Sequence, residues 1–153
     1  MPKNSINKDE QDGALSLKLF VVLSRAAQSV RKQVEEDIKS YGLNPTEFAV
    51  MELLYHKGEQ PVQKIGEKVL IASSSITYVV DKLEKKHYVE RKPCPSDRRV
   101  TFVHITPEGS SLLDSIFPQH EKRLQELFSQ LDADQKIQLS EQLKDIGLYA
   151  QKA

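Results

Sequence analysis

Residues 93–109 read PCPSDRRVTFVHITPEG. Two prolines, an Asp and two adjacent arginines stand directly before a β-branched run, Val100 to Thr106, which itself closes on a helix-start signal. β-branched and aromatic side chains suit a pleated backbone, so this run and the preceding Tyr88 to Lys92 predict two strands joined by a link from Pro93 to Arg99. A tight hairpin needs only two turn residues and no charge at its tip. The arginines therefore need a reason outside the hairpin.

Upstream, QPVQKIGEKVLIASSSITYVVDKLEKK holds two helical patterns. The first starts at Pro61 and carries Val62, Ile65 and Val69 inward; the second has Ile76, Val79, Val80 and Leu83 as its inner stripe, with Ser73 or Ser74 as cap. That leaves Ser75, Thr77, Tyr78, Lys82 and Lys85 on its other faces. Before them, LNPTEFAVMELLYHKG gives a short buried helix: Asn44 caps, Pro45 takes the first position, Glu47 closes a capping box and Gly58 ends it. Further out, Leu19, Phe20, Leu23, Val30, Val34 and Ile38 recur at helical spacing on a long helix from about Leu15 to Gly42, behind a loose polar arm at 1–14.

Downstream, Thr106 caps and Pro107 opens a helix whose stripe runs from Leu112 and Leu113 through Ile116 and Phe117 to Leu131, with a kink expected at Pro118. Asp132 and Gln135 form a second capping box, opening a last helix that bears Ile137, Leu139, Leu143, Ile146 and Tyr149. The fold class is thus mainly α with a small β-hairpin wing: a winged helix-turn-helix at 43–106, flanked by an N-terminal helix at 15–42 and C-terminal helices at 107–153. The flanking helices carry apolar stripes at both chain ends, and self-association into a homodimer is the economical way to bury them.

The 153-residue chain is 39% hydrophobic and 29% charged, enough for one domain with a real core. No apolar run approaches the roughly 20 residues of a membrane span. The start, MPKNSINKDEQDG, lacks the apolar centre of a secretory signal, and a single Cys forms no internal disulfide, so a cytoplasmic location is expected. Net charge is zero, but residues 61–100 carry nine Lys and Arg against five acids, a local net of +4. A basic centre with acidic flanks fits an anionic partner.

In a helix-turn-helix the second helix enters the major groove of double-stranded DNA, so its early exposed residues must be small or hydrogen-bonding. Ser73, Ser74, Ser75, Thr77 and Tyr78 meet that need, with Lys64, Lys68, Lys82, Lys85 and Lys86 placed to neutralise phosphates. The tip then has a use, because a wing beside that helix reaches the adjacent minor groove, whose narrowness favours an inserted Arg. Arg99 is the candidate for insertion, Asp97 its orienting carboxylate, and Arg98 a phosphate contact. A winged helix can instead be a protein-interaction module without specific DNA binding. His56, His87, His104 and His120 show no zinc-ligand spacing, no cofactor motif is present, and no nucleophile elbow, phosphate loop or carboxylate pair suggests catalysis.

The run DRRVTFVHITPEG, preceded by ITYVVDKLEKKHYVERKP, resembles the signature of the MarR family, and the likeness extends from about Leu15 to Tyr149. That resemblance implies a homodimeric winged-helix repressor of a palindromic operator, with the first and last two helices as the dimer interface and Ser73 to His87 as the recognition helix. The family's wing pattern of Asp, any residue, Arg falls on Asp97, Arg98 and Arg99. IFPQH at 116–120 is similar to the branch that senses quinones, phenols or related signals, which implies a small aromatic effector in the crevice between dimer region and winged helix. The peroxide-sensing branch carries a reactive Cys in its first helix; here the single thiol is Cys94, in the wing, a candidate redox sensor with Arg91 and Lys92 nearby to lower its pKa.

Overall fold

A computed structural model describes residues 7–69 and 73–153. The elements run α1 (Lys8–Lys39), α2 (Pro45–Lys57), β1 (Gln60–Pro61), α3 (Val62–Lys68), α4 (Ser73–Lys85), β2 (Val89–Pro93), β3 (Thr101–Ile105), α5 (Pro107–Leu127) and α6 (Ala133–Lys152). The three strands form one antiparallel sheet in the order β1-β3-β2, with Arg91 opposite Val103 and Pro93 opposite Thr101. Helix-turn-helix and wing are in place, and the fold class read from the sequence is the one observed.

The caps explain most helix starts. Asn44 Oδ1 accepts from the Glu47 amide at 2.8 Å while Glu47 Oε1 accepts from the Asn44 amide at 3.2 Å, and Asp132 with Gln135 repeats the arrangement at α6. Thr106 accepts from the Gly109 amide at 3.0 Å and, as donor, bonds the His87 carbonyl at 2.7 Å, so the cap of α5 is also pinned to the end of α4. That end is a Schellman turn: the Tyr88 amide reaches the Leu83 carbonyl, the His87 amide reaches the Glu84 carbonyl, and His87 takes φ +66°.

Two features differ from the sequence reading. The loose arm does not extend to residue 14, because α1 begins at Lys8, where Asn7 accepts from the Asp9 amide and Asp9 and Glu10 sit at the positive end of the helix dipole. A cap and two acids start this helix seven residues before its apolar stripe begins. The two-residue strand β1 pairs Gln60 with Val103 and adds an edge to the expected hairpin. Pro118, where a kink is expected, lies inside α5, which runs from Pro107 to Leu127.

The core gathers Phe48, Val50, Met51 and Leu54 of α2, Ile65 of α3, Ile76, Val80 and Leu83 of α4, and Val89 and Val103 of the sheet. Ile38 of α1 and Leu113 and Ile116 of α5 are buried in the same cluster, so the boundary drawn at residue 106 crosses a continuous core rather than a linker. Val34 of α1 packs against this cluster, whereas residues 8–33 of α1 and all of α6 contain no buried residue. Phe20 and Tyr149 are 69% and 80% exposed.

Candidate nucleic-acid interface

Burial of Ile76, Val79, Val80 and Leu83 turns the opposite face of α4 to solvent, leaving Ser75, Thr77, Tyr78 and Lys85 exposed. Lys82 lies over the Tyr78 ring, 5.2 Å from its centroid, so the two form one amphipathic unit on that face. Ser73 and Ser74 belong to the first turn of α4, but their side chains, and with them the predicted cap, lie outside the described residues.

The wing tip spans residues 94–100 and is closed by the Cys94 amide on the Val100 carbonyl and the Val100 amide on the Asp97 carbonyl, each at 3.1 Å. Asp97 Oδ1 accepts from both the Arg99 backbone amide at 3.0 Å and the Arg99 Nε at 3.3 Å. The pair is too exposed to stabilise the fold much, with the Arg99 side chain 91% accessible, but it aims the guanidinium. Arg98 points to solvent beside it. A cleft of about 520 Å³ opens between α4 and the wing, lined by Thr77, Arg91 and Arg99 together with Pro61 and Val62. The expected helix and the expected arginine therefore share one side of the molecule.

Lys64, Lys82, Lys85 and Arg98 form no ion pair among the described residues and remain available to an anionic partner, as does Lys68. Lys86 is different. Its Nζ lies 2.7 Å from Glu47 Oε2 and 3.5 Å from the Gly42 carbonyl, so it ties the end of α4 to the start of α2. A buried carboxylate outcompetes water for the ammonium, which a count of surface lysines does not reveal. Arg91 is likewise turned inward, to Asp81 and Glu84 of α4. Neither role was visible in the sequence, where i-to-i+7 and i-to-i+39 pairings leave no local signature.

The Cys94 thiol is held below its ordinary pKa, chiefly by hydrogen bonding to Ser96, whose Oγ is 3.3 Å from Sγ. Neither Arg91 nor Lys92, the basic neighbours invoked from the sequence, is among the causes. His120 is 8% exposed, with its ring 4.9 Å from Phe48 and 6.0 Å from Phe117 and its Nδ1 3.9 Å from Asp37 Oδ2. Tyr55 stacks on Phe117 at 5.8 Å and donates its hydroxyl proton to Asp114, which together with burial pushes the Tyr55 phenol up. An aromatic cluster thus joins α2 to α5. Among the described residues no group of three His, Cys, Asp or Glu is disposed to hold a metal ion, and no helix is long and apolar enough to cross a membrane.

The MarR family model matches residues 43–101, which span α2 to the start of β3. The HTH-type transcriptional regulator MhqR of Bacillus subtilis (strain 168) is 55% identical over 137 residues, covering 90% of this chain and 94% of MhqR. The chain belongs to the MarR family. Its fold matches that of AbsC, a MarR family transcriptional regulator from Streptomyces coelicolor, with TM-score 0.80 and 18% identity over 99% of this chain and 100% of AbsC. It also matches a MarR variant from E. coli complexed with operator DNA, with TM-score 0.76 and 22% identity over 84% of this chain and 93% of that one. Like its MarR-family relatives, the chain is a transcriptional regulator built on a winged helix.

Proposed function

We propose that this MarR-family regulator is a homodimeric repressor that binds a near-palindromic operator in double-stranded DNA and leaves it when a small aromatic effector enters. The observation that carries the DNA reading is the shared cleft: Thr77 of α4 and Arg99 of the wing line one surface, while Lys64, Lys82 and Lys85 form no ion pair among the described residues. α4 would lie in the major groove, offering its first-turn serines, Ser75, Thr77 and Tyr78 to bases and phosphates, while Arg99, aimed by Asp97, enters the neighbouring minor groove. Arg98 and the lysines would neutralise phosphates. The exposed apolar residues of α1 and α6 support a twofold pair, which would set two α4 helices about 34–36 Å apart, one turn of DNA.

The aromatic cluster of Tyr55, His56, Phe117 and His120 at the junction of α2 and α5 supports a planar effector such as a phenol or quinone, because it lies where the winged helix meets the helices that would pair. A ligand bound better by the DNA-free form must loosen DNA by linkage.

The test is gel retardation of the DNA upstream of the chain's own gene, against unrelated DNA as competitor, with sedimentation of the free protein. The reading requires a dimer that prefers the upstream duplex. A chain that retards both DNAs equally, or neither, is a protein-interaction module instead. Thermal-shift screening with phenols and quinones, followed by release of the retarded complex, tests the effector.

A further inference from the structure

We infer that Arg91 is a positioning residue for DNA reading: it locks the recognition helix and the wing into one rigid unit and does not itself bind DNA. The inference rests on the DNA-binding role proposed above. Arg91 lies on β2, the strand that leads directly to the tip carrying Arg98 and Arg99. Its guanidinium Nη2 donates to Asp81 Oδ1 at 2.5 Å and to the Thr77 carbonyl at 3.3 Å, its Nη1 donates to Glu84 Oε1 at 3.1 Å, and its backbone amide donates to Glu84 Oε2 at 3.1 Å.

The Thr77 carbonyl and the Asp81 and Glu84 carboxylates span two turns of α4, and all three are met by this one residue of β2. One side chain thus grips two turns of the helix while its own backbone is fixed in the sheet. The flat fork of the guanidinium makes this possible, because its donors diverge in one plane; a lysine ammonium could satisfy one acid but not all three groups. With two acids against one cation, the cluster has no net positive charge to offer DNA. Its contribution is the angle between helix and wing, which decides whether Thr77 and Arg99 reach their grooves together.

The experiment compares wild type, Arg91→Lys and Arg91→Met on a duplex selected by the wild-type protein from a random pool, and on unrelated DNA, at several salt concentrations. Both variants should lose about tenfold or more of the preference for the selected duplex, the scale of one specific base contact. The slope of log Kd against log salt should stay as in wild type. If Arg91→Lys binds like wild type, or if Arg91→Met flattens the slope by about one unit, Arg91 is a phosphate contact and the inference fails.

A second measurement needs no DNA. Hydrogen exchange of wing amides 94–100 should accelerate in Arg91→Met while amides of α2 and α5 keep their wild-type protection. Uniform acceleration would mean a general loss of stability, and unchanged wing exchange would mean that Arg91 holds nothing; either result overturns the inference. A wild-type protein that selects no duplex refutes the DNA-binding role itself, and a localised exchange result obtained alongside it keeps that failure distinct from failure of the Arg91 clamp.

Discussion

The Lys86 ammonium lies 2.7 Å from the Glu47 carboxylate, which is 2% exposed at the start of α2. Glu47 already spends its other oxygen on the Asn44 amide, so one side chain caps α2 and anchors the residue that follows α4. Removing the cation would leave a charge in the core with a single partner. Lys86→Met should therefore cost about 1–3 kcal/mol in urea denaturation, less than a fully buried pair because Lys86 is partly solvated. The double variant Lys86→Met with Glu47→Gln should recover much of that loss, since the amide still accepts from Asn44. DNA affinity measured on Lys86→Met should keep the wild-type salt slope, and a slope reduced by about one would return Lys86 to the phosphate contacts.

Gly109 explains why the helix signal TPEG ends as it does. A Cβ there would meet the Tyr88 carbonyl and come within 2.8 Å of Ile105 Cγ1, where α5 crosses the beginning of the wing. The backbone carbonyl cannot move aside, because it also accepts from the Thr106 amide at 3.0 Å. Gly109→Ala should destabilise by about 2 kcal/mol or more despite the better helix propensity of Ala. Thermal melts that show Gly109→Ala at or above wild type would refute this packing.

The elements legible in the sequence are those with a local cause. Asn44 and Glu47, Thr106 and Pro107, and Asp132 and Gln135 announce their helices within four residues, and the stripe of Ile76, Val79, Val80 and Leu83 orients α4 by spacing alone. The Asp97 and Arg99 pairing was legible for the same reason, being two residues apart. What escaped depends on distance along the chain: Lys86 with Glu47, Arg91 with Asp81 and Glu84, and Gly109 against Tyr88 are visible only once helices and sheet have packed. β1 escaped because two residues carry no alternation, and the start of α1 because polar caps, not apolar spacing, begin it.

Cys94 gives a prediction about reactivity. Hydrogen bonding to Ser96 favours the thiolate, so the thiol titrates below its ordinary value and more of it is ionised at neutral pH. Ser96→Ala removes that partner and should move the pH profile of Cys94 alkylation upward, slowing the reaction at neutral pH and leaving it unchanged at strongly alkaline pH. An unshifted profile would show that Ser96 does not tune the thiol. Comparing operator affinity of Cys94→Ser with wild type under quinone or peroxide then tests whether the thiol signals; equal responses exclude it.

Tyr41 predicts an alkaline limit to stability. Burial, followed by its hydroxyl donating to Asp37 Oδ2 at 2.9 Å, pushes the phenol from 10.0 up to about 12. A raised folded-state value means that the native protein holds this proton more tightly than the unfolded chain does. Its contribution is therefore complete below pH 10 and fades as pH rises from 10 towards 12. Tyr41→Phe should cost about 1 kcal/mol at neutral pH through the lost hydrogen bond, and should be less sensitive to pH across that window. Denaturant midpoints of the two proteins that fall in parallel above pH 10 would assign the alkaline loss to other groups.

Arg99 and Lys85 separate two kinds of DNA contact. Arg99 reaches out from a tip anchored by Asp97, so a groove that receives it gains shape-dependent contacts, and Arg99→Ala should weaken operator binding by about 1–3 kcal/mol and unrelated DNA by less. Lys85, exposed on α4 and in no ion pair among the described residues, offers charge without geometry; Lys85→Ala should weaken all duplexes alike and flatten the salt slope by about one unit. Asp97→Ala distinguishes aim from charge. It adds net positive charge to the tip, which favours DNA generally, yet it frees the guanidinium to wander. Specific binding should therefore fall while binding to unrelated DNA holds or rises. A rise in both would mean that Asp97 merely repels phosphate, and that the wing arginine needs no holding.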